Sequence, residues 1–314
     1  MNITDKFTEA LVNDEVKKGL QRGYKVESTQ TVYDDYLYDD PQVPDTSWKR
    51  LRNNMDQKHE GQYKRGSGGE LEEKDGRPPK MAAFASSSRM IYTLFAPNIA
   101  GIDFEEQLPT TIAGVANMDG YLAREGKYTF VEAKCREPYS HSVKQAIKQN
   151  YKDVYVYLRD KMPRVFSCVM EDIPNAPEGK EPQNKMNVVF FCHNRVVAPF
   201  DIKQMISHLL GVATRFLTQL DELVNPDLKI QFLYLLYNPS GLTMDAQAKA
   251  EIMTVYEDAC WCAKHYHFEE MFGNIVDYLS PELCPNADGE KIQLLKDSFK
   301  FELCDQQDYM KYFK

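Results

Sequence analysis

A chain of 314 residues, 43% apolar and 27% charged, has the composition of a globular protein able to bury a full core. No stretch reaches the roughly 18 to 20 apolar residues of a membrane-spanning helix, and a net charge of −9 excludes coating of nucleic acid through bulk charge. The seven cysteines are odd in number and show no framework of spacings, so reduced thiols are expected.

The opening MNITDKFTEALVNDEVKKGL has no apolar core like that of a signal peptide, and a cytoplasmic location is the expectation. Residues 27–45 carry six acids and no Lys or Arg, whereas residues 47–65 carry six Lys or Arg against two acids. GSGGELEEKDGRPPK, residues 66–80, reads as a long loop. The first 80 residues are thus expected to form an N-terminal extension of helices and loops, ahead of a core over 81–285 and a helical tail over 286–314.

In the core, SSSRMIYTLFAP from Ser86 offers serine caps and then Met90, Ile91, Leu94 and Phe95 at helical spacing, closed by Pro97. IDFEEQL, residues 102–108, predicts a strand. GVANMDGYLAREGKYTFVEAKC from Gly114 predicts a hairpin turning at Arg124–Lys127. A helix is expected over 140–161, with Val143, Ile147, Tyr151, Val154 and Leu158 as its apolar stripe. NVVFFCHN from Asn187 and KIQFLYLLYNPSG from Lys229 predict buried strands. DIKQMISHLLGVATRFLTQL from Asp201 predicts a long helix, and a further helical region runs from Asp245 to about Leu279. This alternation predicts an α/β fold: a mixed central β-sheet flanked by helices.

YTFVEAKCRE, residues 128–137, raises the functional question. Residues two apart on a strand share a face, so Glu132 and Lys134 project side by side from an apolar strand. Burying charge is costly unless it is paired or bound to a metal. Asp119, on the other arm of the hairpin, falls opposite them. Two adjacent carboxylates repel, and a divalent cation relieves that repulsion; Mg²⁺ favours one or two carboxylates, several waters and phosphate oxygens. The set reads as a metal-assisted phosphodiesterase site, with Lys134 orienting water or neutralising charge on phosphate. A salt-bridge ladder on an open edge strand is the structural alternative, and the flanking residues are too apolar for it.

Asp119 followed by Glu132-Ala133-Lys134 resembles the PD-(D/E)xK nuclease motif, with Met118 where the motif's name has Pro. GGEL at 68–71, PPKMAAFASSSRMIYTLFAPN at 78–98, FEEQL, NMDGYL and FVEAKCRE follow in an order similar to a bacterial restriction endonuclease family of that superfamily, from about residue 45 to 285. The resemblance implies a restriction-endonuclease-like core and cleavage of DNA dependent on Mg²⁺, with Mn²⁺ as a substitute. It implies Asp119, Glu132 and the Ala133 carbonyl as metal ligands and Lys134 as the residue that positions or activates water. Many members add an acid from the preceding element. Glu106 is the candidate here, and its neighbour Glu105 would face the other way on a strand. Some members place a Gln on the helix after E-x-K. Gln145 and Gln149 are available on the expected helix and, with Lys148 and Lys152, are the candidate nucleic-acid-binding residues. Lys144, Arg136 and the basic stretch 49–65 would extend that groove. Expected partners are DNA and, as an open option, a second copy in a homodimer, with no membrane. The alternative is a non-catalytic nucleic-acid-binding or structural protein on the same fold, and nothing in the sequence separates DNA from RNA.

Other motifs carry less. CWCAKHYH, residues 260–267, spaces its ligands C-x-C and H-x-H on a helix, where residues two apart diverge by about 200°. Ser86–Ser88 lack a nucleophile elbow and read as a cap whose amides suit phosphate. GSGG lacks the Lys-Ser/Thr end of a P-loop; Glu70 behind it could approach the site from the loop.

Overall fold

The structure, a computed structural model, describes residues 1–17, 24–25, 37–38, 48–65, 69–72, 74, 79–112, 114–140, 142–173 and 184–313. Most of the acidic stretch 27–45 and of the Gly-rich stretch 66–80 lies outside the described residues. In chain order the elements are α1 (Ile3–Lys17), β1 (Tyr24–Lys25), β2 (Leu37–Tyr38), α2 (Trp48–Asn54), α3 (Gln57–Arg65), α4 (Ser87–Phe95), β3 (Asp103–Thr110), β4 (Gly114–Arg124) and β5 (Lys127–Lys134). Then come β6 (Lys144–Lys148), α5 (Lys152–Lys161), β7 (Phe166–Asp172), β8 (Lys185–Cys192), β9 (Arg195–Val196), α6 (Ile202–Thr218) and α7 (Leu220–Leu223). The chain finishes with β10 (Lys229–Leu236), α8 (Ala246–His265), α9 (Phe268–Leu283), α10 (Gly289–Asp297) and β11 (Phe299–Cys304). Among the described residues, no helix is long and apolar enough to cross a membrane.

The fold is mixed α/β. A five-stranded sheet runs in the order β11-β10-β5-β4-β3; β10 is parallel to both β5 and β11, and β3, β4 and β5 form an antiparallel meander. Each face of this sheet carries its own core. Phe130, Phe232 and Tyr234 pack on one side with α6 and α9; Val131, Ala133, Leu233 and Leu235 pack on the other with α1 and α4. This two-sided burial explains the near-continuous apolar runs of β5 and β10. A smaller antiparallel sheet, β6-β8-β7 with β9 against β8, is inserted between β5 and α6. Its inward residues Ile147, Cys168, Val188 and Phe190 extend the α6-side core.

Two expectations need correction. The predicted helix over 140–161 is helical only from Lys152; residues 144–148 form β6, alternating exposed and buried against β8. Apolar residues four apart share a face under period two as well as period 3.6, so the stripe could not separate strand from helix. The region from Asp245 to Leu279 is helical as expected, in two helices parted where Tyr266 caps α8 and His267 takes a left-handed φ of 51°. The helical tail over 286–314 holds α10 but then β11, whose alternating Phe299, Phe301 and Leu303 pair in parallel with β10. The region expected as an extension, residues 1–80, also sends Phe7 of α1 and Tyr63 of α3 fully into the core.

Gly211 lets α6 lie close on the sheet: a Cβ there would stand 2.8 Å from the Leu108 Cβ and 3.2 Å from the Ala116 Cβ. Helix propensity alone favours Ala over Gly by about 1 kcal/mol. The clash is with Cβ atoms that cannot swing away, and overpacking of this kind costs about 1–3 kcal/mol. Gly211→Ala is therefore expected to destabilise the protein by about 1–2 kcal/mol in urea unfolding; a stabilised variant would contradict the close packing of α6 on β3 and β4.

Candidate active site

The site is built on an irregularity in the sheet. Phe104 and Leu108 are four apart on β3 and would share a face of a regular strand, as would Met118 and Leu122 on β4. Instead Phe104 and Leu122 enter the α4-side core, and Leu108 and Met118 the α6-side core. Both strands therefore reverse their pleat at the same level. The pairing there runs Phe104↔Gly120 and Glu106↔Met118 and skips the pair between, Glu105 and Asp119. Glu105 holds a φ of 53°, uncommon for any residue but Gly. On the other side of β4, regular pairing with β5 ends at Gly120↔Val131. Asp119 replaces the lost backbone bond with its side chain: Oδ2 accepts from the Ala133 amide at 2.7 Å.

Glu132 and Lys134 project from β5 toward α6. Lys134 Nζ donates to Glu132 Oε1 at 2.5 Å and to Gln204 Oε1 at 2.6 Å. Gln204 stands in the first turn of α6, which Asp201 caps by accepting the Gln204 amide. One turn on, His208 Nδ1 lies 3.3 Å from Glu132 Oε2, yet neither atom has a hydrogen-bond partner. Asp119, Glu132, Ala133, Lys134, Asp201, Gln204 and Glu105 line a cleft of about 360 Å³, whereas His208 does not reach its surface. Its walls include Glu70 paired with Lys80 at 2.7 Å, the Ser86–Ser88 start of α4, and Arg136 and Glu137. The Glu137 carboxylate accepts from Ser87 Oγ at 2.6 Å and from the Cys135 amide at 2.9 Å, holding the strand end against α4.

Crowded acids in a desolvated cleft hold protons tightly. Burial, then Asp119 and Glu70, push the Glu105 carboxyl up to about 9. Burial, then Glu132, raise Asp119 well above the usual carboxylate range. Glu132 is pushed up to about 7 by burial, against the pull of Lys134. For Lys134, burial acts downward, but Glu132 and Glu137 overcome it and keep the ammonium protonated well above its ordinary range. His208 is depressed to about 3 by burial and by Lys134, so its ring is neutral at neutral pH.

The structure brings Asp119, Glu132, Ala133 and Lys134 together as the hairpin argument expected. It does not bring Glu106. The pleat reversal turns Glu106 to the α6 side, where it accepts from Arg215 Nη1 at 2.8 Å, and puts Glu105 in the cleft instead. Gln145, Lys148, Gln149 and Lys152 do not line the cleft either. Gln145 is buried on β6 with Nε2 unpartnered, Gln149 donates to Asp172, and Lys148 and Lys152 are exposed. In the basic stretch, Lys58 and Lys64 pair with Asp103 and Glu60. Gln204 and His208 were the residues missed. Their signal was faint: two polar side chains four apart, bordering the apolar stripe of a long helix.

Among the described residues, no three His, Cys, Asp or Glu side chains converge to hold an ion by themselves. Mg²⁺ does not require that, since it usually keeps several waters beside one or two carboxylates. Asp119, Glu132 and the Ala133 carbonyl fit as hard oxygen donors, and the unpartnered Glu132 Oε2 is a buried oxygen in need of a cation or a proton. No protein-family model, curated protein or solved structure matches the chain.

The raised carboxyls set a pH dependence whose sign can be worked out. Between the ordinary value of 4.5 and the folded values of about 7 for Glu132 and about 9 for Glu105, the folded chain keeps protons that the unfolded chain has released. Folding stability in chelator is therefore expected to fall as pH rises from 5 to 9, with a slope of up to about 1.4 kcal/mol per pH unit from each of Glu132 and Glu105 below pH 7 and from Glu105 above it. Mg²⁺ should oppose the loss at pH 8, and Glu105→Gln should make the slope shallower across the whole window. Unfolding midpoints independent of pH across this window would refute the arrangement of buried acids.

Proposed function

We propose that this chain is a metal-dependent nuclease that hydrolyses DNA phosphodiester bonds on a restriction-endonuclease-like core. The observation that carries the reading is a buried Glu132–Lys134 pair on a central strand, beside an Asp119 whose carboxylate spans to the Ala133 amide. An ion pair this deep contributes little to stability, because desolvation offsets the attraction. Its presence beside two further raised acids, Asp119 and Glu105, points to chemistry. The resemblance to PD-(D/E)xK nucleases adds support, since Asp119 stands on one strand and E-x-K on the next, within a mixed sheet flanked by helices.

Asp119 and Glu132 would hold Mg²⁺, with the Ala133 carbonyl as a further ligand. When bound, the ion polarises a phosphoryl oxygen and lowers the pKa of its water. Lys134 cannot ligate a cation. Gripped by Glu132 and Gln204, its ammonium sits at a defined place on the cleft floor, where it orients the attacking water and meets negative charge growing on phosphate. Ser87 and Ser88, which open α4, line the same cleft, and a helix N-terminus there would favour an anionic phosphate. Affinity for DNA then rests on local groups such as Arg136 rather than on the acidic body.

Supercoiled plasmid incubated with Mg²⁺ or Mn²⁺ should be nicked or linearised, and chelator should stop it. Asp119→Ala should abolish both cleavage and Mn²⁺ binding by titration calorimetry. Lys134→Met should keep Mn²⁺ binding and lose about 10²- to 10⁴-fold in rate, the range expected for a positioned proton-handling group. Cleavage of RNA but not DNA would move the substrate class; wild-type protein inert toward both with either metal would end the nuclease reading.

A further inference from the structure

We propose that the side-chain carbonyl of Asn117 is a further ligand of the divalent cation, an inference that rests on the metal-dependent reading above. Ala116 and Met118 pack into the α6-side core. Asn117 lies between them on β4 and so points to the other face of the strand. There it lines the cleft together with Asp119, two residues on. Its Oδ1 atom is buried and has no hydrogen-bond partner. A buried carbonyl oxygen in that position needs a donor, a water or a cation. The nearest side chains are engaged elsewhere. Gln107, its cross-strand partner on β3, gives its amide to the Arg65 carbonyl at 3.0 Å. The two lysines that line the cleft are held, Lys134 by Glu132 and Gln204 and Lys80 by Glu70.

An amide carbonyl is a hard, neutral oxygen donor of the kind that suits Mg²⁺ and Mn²⁺. It also supplies what the acids lack. Among the described residues, no three His, Cys, Asp or Glu side chains converge on an ion, and an asparagine stands outside that set. Beside Asp119, Glu132 and the Ala133 carbonyl, Asn117 gives a donor set of two carboxylates and two neutral carbonyls. An octahedral Mg²⁺ held by such a set keeps room for water and for a phosphoryl oxygen. The neutrality of the amide matters here. Glu70, Glu105, Asp119, Glu132, Glu137 and Asp201 already line the cleft, and another carboxylate would add to their mutual repulsion. Asparagine contributes a ligand oxygen without that charge.

Titration calorimetry of the full chain with Mn²⁺ at pH 8 reads this role without any cleavage assay. Asn117→Leu keeps the shape of the side chain and removes its carbonyl. It should weaken Mn²⁺ binding at least about tenfold, the low end of what losing even an outer partner of a metal ligand costs. In chelator the same variant should melt at or above the wild-type temperature, because it removes an unsatisfied buried oxygen. Asn117→Asp, which keeps an oxygen ligand, should bind Mn²⁺ no more weakly than wild type. Unchanged Mn²⁺ affinity in Asn117→Leu, or weakened affinity in Asn117→Asp, overturns the proposal and leaves the nuclease reading standing. So does an Asn117→Leu variant that binds Mn²⁺ normally and loses only its affinity for DNA in chelator, which would give the amide to the substrate. A wild-type chain that binds no Mn²⁺ ends the metal-dependent reading and this inference with it.

Discussion

Lys134 and Glu132 answer one another's charge inside the molecule. Both lie inside the molecule, at 5% and 1% exposure, on a strand paired on both sides. Without Lys134 the Glu132 carboxyl would need a proton or a cation, and without Glu132 the ammonium would lose its counter-charge in low dielectric. Much of the neighbouring architecture answers to that constraint. α6 brings Gln204 to the remaining face of the ammonium, and Asp201 caps the helix so that its first turn is held there. Glu137 ties the strand end to Ser87 and so keeps the mouth of the cleft at the start of α4.

The sheet accommodates this chemistry by giving up regularity at one level. In a regular ladder Glu105 and Asp119 would be cross-strand partners held on one face of the sheet, and the Ala133 amide would be left to a backbone carbonyl. The paired reversal of β3 and β4 frees both acids, and Asp119 then returns a hydrogen bond to β5 through its side chain. Backbone order is exchanged for side-chain order, so the Ala133 amide at the floor of the cleft keeps an acceptor. The left-handed Glu105 is the local cost of that exchange.

How far the sequence reveals this follows from what each signal encodes. The hairpin, α4, α6, β8 and β10 were legible because long apolar runs and caps state their own period. Glu132 and Lys134 were legible because charge on an apolar strand is too costly to stand there without a partner or a ligand. The strand 144–148 was not, since Val143, Ile147 and Tyr151 satisfy two periods at once. Strict alternation allows only one of Glu105 and Glu106 to face the site. Alternation cannot foresee a pleat reversal, which depends on what the partner strand does. Gln204 and His208 stayed hidden because they lie 70 and more residues beyond Lys134 in the chain, so that only packing brings α6 beneath β5. β11 closes the sheet from a segment whose pattern, FKFELC, is short enough to pass as part of a helical tail.

Gly211 and Gln204 belong to the same helix, about two turns apart. The depth at which α6 seats is fixed at Gly211 by the absence of one methyl group against Leu108 and Ala116. The reach from Gln204 to the Lys134 ammonium is read off the other end of the same rigid rod. α6 therefore acts as a caliper whose jaw opens at the cleft while its stop is set on the far strands. A methyl group's worth of shim at that stop would lift the amide off the ammonium, and change the cleft, without altering any residue that lines it.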